Sequence, residues 1–147
     1  MQIKFHKLSP EVPTPVYQTD GAVAFDLAAN VDVVIPAGEV AIVPTGLVIE
    51  TPKGFALVLA SRSSLPRKKG LNLANGIGVV DQDYCGPKDE IGILVRNFTE
   101  QPVEIKKGER LAQGMFVRVE KAEFVETEKP HAEQSRGGFG STSGYHA

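Results

Sequence analysis

The 147-residue chain has little of what sulfur, imidazole or bulk-charge chemistry would need. It holds one cysteine, Cys85, so no intrachain disulfide can form. Its three histidines, His6, His131 and His146, have no metal-ligand spacing, and no Ser-His-Asp arrangement can be drawn. No histidine lies near Cys85 in sequence, so Cys85 reads as a packing or turn residue rather than a nucleophile. The formal net charge is only -2, which gives no bulk attraction to nucleic acid or to an anionic membrane surface. No apolar run approaches the roughly 20 residues that span a bilayer. The amino-terminal Met-Gln-Ile-Lys-Phe-His-Lys has no hydrophobic signal core. Internal repeats and a convincing long helix are also missing. The expectation is a cytoplasmic protein with no nucleic-acid and no membrane partner.

What is present is β-strand material cut by turns. A hydrophobic fraction of 41% is enough for one domain core without staples. Glycine (15) and proline (10) divide the chain into short pieces. Gln2 to Lys7 alternates polar and apolar residues like an edge strand, and Ser9 to Gly21, with three prolines, reads as a loop. Apolar runs at Ala22–Ala29, Val31–Ile35, Val40–Val43, Leu47–Glu50, Phe55–Ala60, Leu71–Leu73, Gly78–Val80, Glu90–Asn97, Val103–Ile105 and Leu111–Val119 are separated by turn signals. This spacing predicts an all-β barrel or double-sheet jelly roll. Ser61 to Gly70 differs, being polar, basic and interrupted by Pro66, with room for one helical turn. Residues 1–125 form the expected β domain. Residues 126–147, polar and then glycine-rich, read as a mobile arm that cannot bury a core of its own.

The candidate chemistry lies in five places. Gly76 to Gly86 carries Val79-Val80 straight into the acid-bearing turn Asp81-Gln82-Asp83-Tyr84, which fixes a carboxylate on a rigid element. Ser61-Arg62-Ser63-Ser64 follows an apolar strand and suits an oxyanion, although taken alone a solvated turn with Ser63 or Ser64 capping a short helix explains it better. Arg67, Lys68 and Lys69 beyond it read as a solvated face. In the arm, Arg136, Phe139, Gly140, Ser141 and Thr142 combine a guanidinium fork, backbone amides, hydroxyls and a ring able to stack on a base. Asp26 sits among apolar residues. If buried it needs a partner, either an arginine or a hydrated metal. Gln113, in Leu-Ala-Gln-Gly-Met-Phe, is either a satisfied core amide or a ligand contact. Together these groups suit hydrolysis of a nucleoside polyphosphate with a hydrated divalent cation.

Five segments in order resemble the motifs of the trimeric dUTP diphosphatase (dUTPase) family: Ala22-Val-Ala-Phe-Asp-Leu27, Ser61-Arg-Ser-Ser-Leu65, Asn75-Gly-Ile-Gly-Val-Val-Asp-Gln-Asp-Tyr-Cys-Gly86, Gly108-Glu-Arg-Leu-Ala-Gln113 and Arg136-Gly-Gly-Phe-Gly-Ser-Thr142. The resemblance implies a jelly-roll homotrimer with three shared active sites. It also implies a C-terminal arm closing a neighbour's site, and Mg2+-assisted conversion of dUTP to dUMP and pyrophosphate. That reaction keeps uracil out of DNA and supplies dUMP for thymidylate synthesis. By position, Asp81 matches the carboxylate that activates the water attacking the α-phosphorus. Tyr84 matches the ring that packs under the deoxyribose. Asn75 and the backbone of Gly78, Val79 and Val80 match the uracil reader. Arg62, Ser63, Ser64 and Gln113 match phosphate ligands, and Asp26 an acid supporting the metal through water. Arg136 matches a γ-phosphate ligand, Phe139 a lid, and Gly140, Ser141 and Thr142 further phosphate contacts. The chain departs from the common pattern at Ala24, Ser61 and Ser64, in a Pro87-Lys88-Asp89 insertion, and in a short spacing between Arg136 and Phe139. Two rivals stand beside this reading. A dCTP deaminase shares the fold and an Arg-Ser-Ser-Leu motif. A non-catalytic nucleotide-sensing or protein-binding module would bind without turnover.

Overall fold

The computed structural model describes residues 1–138, and these form eleven strands and one short helix. The strands are β1 (Phe5–Lys7), β2 (Phe25–Ala28), β3 (Val33–Ile35), β4 (Val40–Pro44), β5 (Leu47–Ile49), β6 (Phe55–Ser61), β7 (Leu71–Leu73), β8 (Gly78–Val80), β9 (Gly92–Asn97), β10 (Val103–Ile105) and β11 (Arg110–Arg118). They pair antiparallel in four small sheets: β2-β11-β6-β8, β4-β9-β7, β1-β5 and β3-β10. All four contribute to one core, through Leu27, Leu57, Leu111, Ile93, Val95, Leu71, Ile35, Ile49 and Ile105. Burying each such side chain is worth about 1.5–3 kcal/mol, so the interior needs no covalent staple. The expected all-β jelly-roll architecture is the one observed.

The period-2 geometry of strands decides which polar groups stay available. In β2, Phe25 and Leu27 point into the core, which turns Asp26 and Ala28 to the other face. In β11 the pairing with β2 slips between Arg110 and Ala112, so that Leu111 and Ala112 are both buried. This bulge re-aims the strand and sets Gln113 directly opposite Asp26.

The one helix, α1 (Leu65–Lys69), is the turn expected between Ser61 and Gly70, with Pro66 in its first turn and three cations in its last. Ser64 holds the N-cap position, yet its hydroxyl makes no capping bond. Gly70 ends the helix at φ 64°, and a Cβ there would lie 2.0 Å from Thr99 Cγ2, so glycine is required. Arg67 and Lys68 are exposed, as a solvated face should be. Lys69 is not part of that face. Its Nζ donates to the Glu104 carbonyl at 3.0 Å and lies 2.7 Å from Glu109 Oε2, tying the helix to the turn that precedes β11. Burial pushes the Glu109 carboxyl up, but Lys69, the Lys106 amide and the charges of both lysines outweigh it and hold it below its ordinary 4.5.

Candidate active site

The polar groups gather at two ends of the β2-β11-β6-β8 sheet. At the first end, β8 lies against β6 with Leu57 opposite Val80, Val58 opposite Val79 and Leu59 opposite Gly78. Gly78 is buried, and a Cβ on it would sit 3.1 Å from Leu59 Cβ, so the strands approach closely here. Asp81 is the first residue past this pairing and is exposed. The turn behind it is closed by the Tyr84 amide donating to the Asp81 carbonyl at 3.4 Å. It is anchored by Gln82 Nε2 donating to the Phe55 carbonyl at 3.1 Å. Asn75, the strand Gly78–Val80, Asp81 and Tyr84 line one pocket of about 250 Å3, joined by Glu90. Asp83 does not line it. It faces a neighbouring cavity of about 400 Å3 with Phe55, Gln82 and Lys121, which Asp81 also borders.

At the second end, the Asp26 carboxylate is enclosed, with 5% of its side chain exposed. Oδ1 lies 3.1 Å from Arg62 Nε and accepts from Gln113 Nε2 at 3.3 Å, and Oδ2 accepts from Arg110 Nη1 at 2.9 Å. Arginine was one of the two partners open for Asp26 on sequence, and two arginines reach it. A buried carboxylate is tolerated only when its lone pairs are met in this way. Arg110 carries no role in the sequence reading. Its signal was its place between Gly108 and Gln113, but only the strand register shows that it reaches Asp26. Ser63 is exposed and Ser64 half-buried beside this cluster, both with hydroxyls directed to no protein partner among the described residues.

The two ends do not meet within one chain. Asp81 lies beside Ala56 at one end of β6, whereas Arg62 follows the other end and Gln113 pairs with Ala60. Ala56 to Arg62 is six residues, roughly 20 Å at about 3.3 Å per strand residue. Arg136 is exposed beyond β11 and forms no ion pair among the described residues. The expected contacts of Phe139, Gly140, Ser141 and Thr142 fall outside the described residues. Among the described residues, no group of three or more His, Cys, Asp or Glu side chains is placed to hold a metal ion. Among the described residues, no helix is long and apolar enough to cross a membrane.

Comparison with known proteins extends this picture. A family model described as dUTPase matches residues 10–143. A deoxyuridine 5'-triphosphate nucleotidohydrolase from Nautilia profundicola is 41% identical over 143 residues, covering 97% of this chain and 99% of that protein. The crystal structure of the dUTPase from Streptococcus mutans aligns with a TM-score of 0.77 at 36% identity, over 82% of this chain and 98% of the other. A mutant dUTPase from phage phi11 of S. aureus, described with a structural Mg(II) ion, aligns with a TM-score of 0.77 at 21% identity, over 88% of this chain and 98% of its own. At that identity the likeness concerns the fold alone.

Proposed function

The chain belongs to the dUTPase family and hydrolyses dUTP to dUMP and pyrophosphate, and on that premise we propose which of its residues do the work. The observation that carries the assignment is the single pocket shared by Asn75, Gly78–Val80, Asp81 and Tyr84. An extended main chain can offer uracil its donor and acceptor pattern while leaving no room for a thymine methyl. Tyr84 at the same pocket would pack under the deoxyribose and exclude a 2′-hydroxyl. Asp81 would align a water on the α-phosphorus and accept its proton. Its side chain has no protein partner among the described residues, so both oxygens remain free for that task. Pyrophosphate then leaves.

The phosphates would be held by Arg62, Ser63, Ser64 and Gln113, with Arg136 and the segment Phe139–Thr142 closing over them as an arm of residues 126–147. The roughly 20 Å between Asp81 and Arg62 supports a homotrimer in which one subunit supplies the base pocket and another the phosphate cluster. Open apolar surface at Phe5, Tyr17 and Val117, and Phe124 at 96% exposure, supports the same assembly. Mg2+ fits as a hydrated ion carried on the triphosphate, where it neutralises phosphate charge. It does not fit as an ion ligated directly by Asp26, whose oxygens are already taken by Arg62, Arg110 and Gln113. Asp26 would meet such an ion only through water, and Arg110, 44% exposed, is the partner freer to yield. A cytoplasmic location completes the proposal.

The deciding experiment is a panel of dUTP, dTTP, dCTP and UTP with Mg2+. We expect pyrophosphate from dUTP and at most a small fraction of that rate from the others. Ammonia from dCTP would instead identify a deaminase, and binding of dUTP without turnover a sensing module.

A further inference from the structure

The Pro87-Lys88-Asp89 insertion lies at the exit of the catalytic turn, and in the structure it folds back rather than extending that exit. The Gly86 amide donates to Asp89 Oδ2 at 2.7 Å, and the Asp89 amide returns a bond to the Gly86 carbonyl at 3.1 Å. This closed turn leads directly into Glu90. The Tyr84 hydroxyl donates to the Glu90 carbonyl at 3.1 Å.

The Glu90 main chain is held from both sides. On its C-terminal side, the Ile91 amide donates to the Leu47 carbonyl at 2.7 Å, and the Ile91 carbonyl accepts from Thr45 Oγ1 at 2.6 Å. The Glu90 side chain adds a second anchor, Oε1 accepting from the Gly46 amide at 2.5 Å. Gly46 is itself locked. It has φ 72°, and a Cβ there would stand 2.4 Å from Val12 Cγ2 and 2.8 Å from Asn30 Nδ2. A carboxylate bonded to a main-chain amide on so rigid a turn fixes the orientation of its own peptide unit. That peptide carries the carbonyl that accepts from the Tyr84 hydroxyl. Glu90 also lines the pocket with Asn75, Asp81 and Tyr84.

We propose that Glu90 is a positioning residue that sets deoxyribose selectivity, by clamping the Gly46 amide and holding its carbonyl as the seat of the Tyr84 hydroxyl. The inference rests on the reading of Tyr84 as the sugar gate. A ring held at one end by the backbone and at the other by its hydroxyl cannot tilt away to admit a 2′-hydroxyl. A ring held at one end only can.

The test compares kcat/KM for dUTP with kcat/KM for UTP in Tyr84→Ala, Tyr84→Phe, Glu90→Ala and Glu90→Gln, with KM and kcat separated and folding checked by thermal melting. Tyr84→Phe removes only the hydroxyl and keeps the fold. Losing one hydrogen bond's worth of restraint should reduce discrimination roughly three- to tenfold in Tyr84→Phe and in Glu90→Ala, chiefly through KM. Glu90→Gln, which keeps an acceptor for the Gly46 amide, should retain most of it. The double variant Tyr84→Phe/Glu90→Ala should be no worse than either single change, because both cut the same link. If Tyr84→Ala loses discrimination while Tyr84→Phe and Glu90→Ala keep it, the proposal is overturned and the gate survives. If Tyr84→Ala keeps discrimination, the gate itself is wrong and the proposal fails with it.

Discussion

The two polar ends of the β2-β11-β6-β8 sheet are built on opposite principles. Around Asp26, four side chains from two strands and a loop satisfy one another, and the carboxylate is shut from solvent. Around Asp81, the acid is exposed at a pocket it shares with Asn75, Gly78–Val80, Tyr84 and Glu90. A group bonded on all sides is oriented but spent. A group left open is available but must be held by its main chain. The first arrangement suits residues that present charge to a fixed phosphate, the second a residue that must take up a proton. Because the two lie roughly 20 Å apart along one strand, they do not meet within one chain.

The contrast can be broken in several ways. Asp81→Asn should lower kcat by roughly 10²–10⁴-fold with little change in dUTP affinity or melting temperature, since it removes a base and no protein contact. Near-normal turnover would remove Asp81 from the mechanism. Asp26→Ala should act in the reverse sense, as a stability defect of about 3–5 kcal/mol in denaturant melts, because it strands two guanidinium groups and an amide. Equal stability would mean the cluster is not the structural knot its geometry describes. Co-refolding inactive Asp81→Asn with inactive Arg62→Ala subunits should restore roughly a quarter of wild-type activity if each site draws on two chains. Activity equal to the sum of the two parents would show that sites are built within single chains.

The smallest effect is expected at Glu109. Its folded-state pKa is depressed, so its stabilisation is complete above its ordinary value near 4.5 and is lost as pH falls through the lower folded value. Glu109→Gln should therefore melt slightly below the wild type at pH 7 and converge with it once acid has protonated Glu109 in the folded protein. A gap that persisted in acid would assign the loss to packing rather than to the Lys69 ion pair.

Much of this fold is legible from turn chemistry and alternation. The runs Leu71–Leu73, Gly78–Val80 and Val103–Ile105 are strands with the same bounds in sequence and structure. The single helical turn lies where Pro66 and the basic run leave space for it. What could not be read was pairing over long separations. Asp26 meets Arg110 and Gln113 more than 80 positions away, through a register that depends on a one-residue slip in β11. Local pattern shows that Asp26 needs a partner but not which one, and Lys69 looks like surface until β10 and β11 fold beneath it. At the site, the acid-bearing turn and its pocket-lining neighbours were visible because they are contiguous. Glu90 was not, because its role depends on contacts with Gly46 and Tyr84 made through the folded loop.

The slip at Leu111 and the turn at Pro87–Asp89 also differ in how they treat chain length. The turn closes on itself between ends pinned by Gln82 and Ile91. The slip carries a core side chain. Leu111 is its extra residue, so deleting it would leave Arg110 opposite Ala28, Ala112 opposite Leu27 and Gln113 still opposite Asp26, while emptying a buried place in the core. A change of length around residue 88 should therefore leave the core intact, whereas loss of residue 111 should cost stability with the Asp26 pairing kept. The first is spare length at the surface, the second a core residue supplied by an irregular strand.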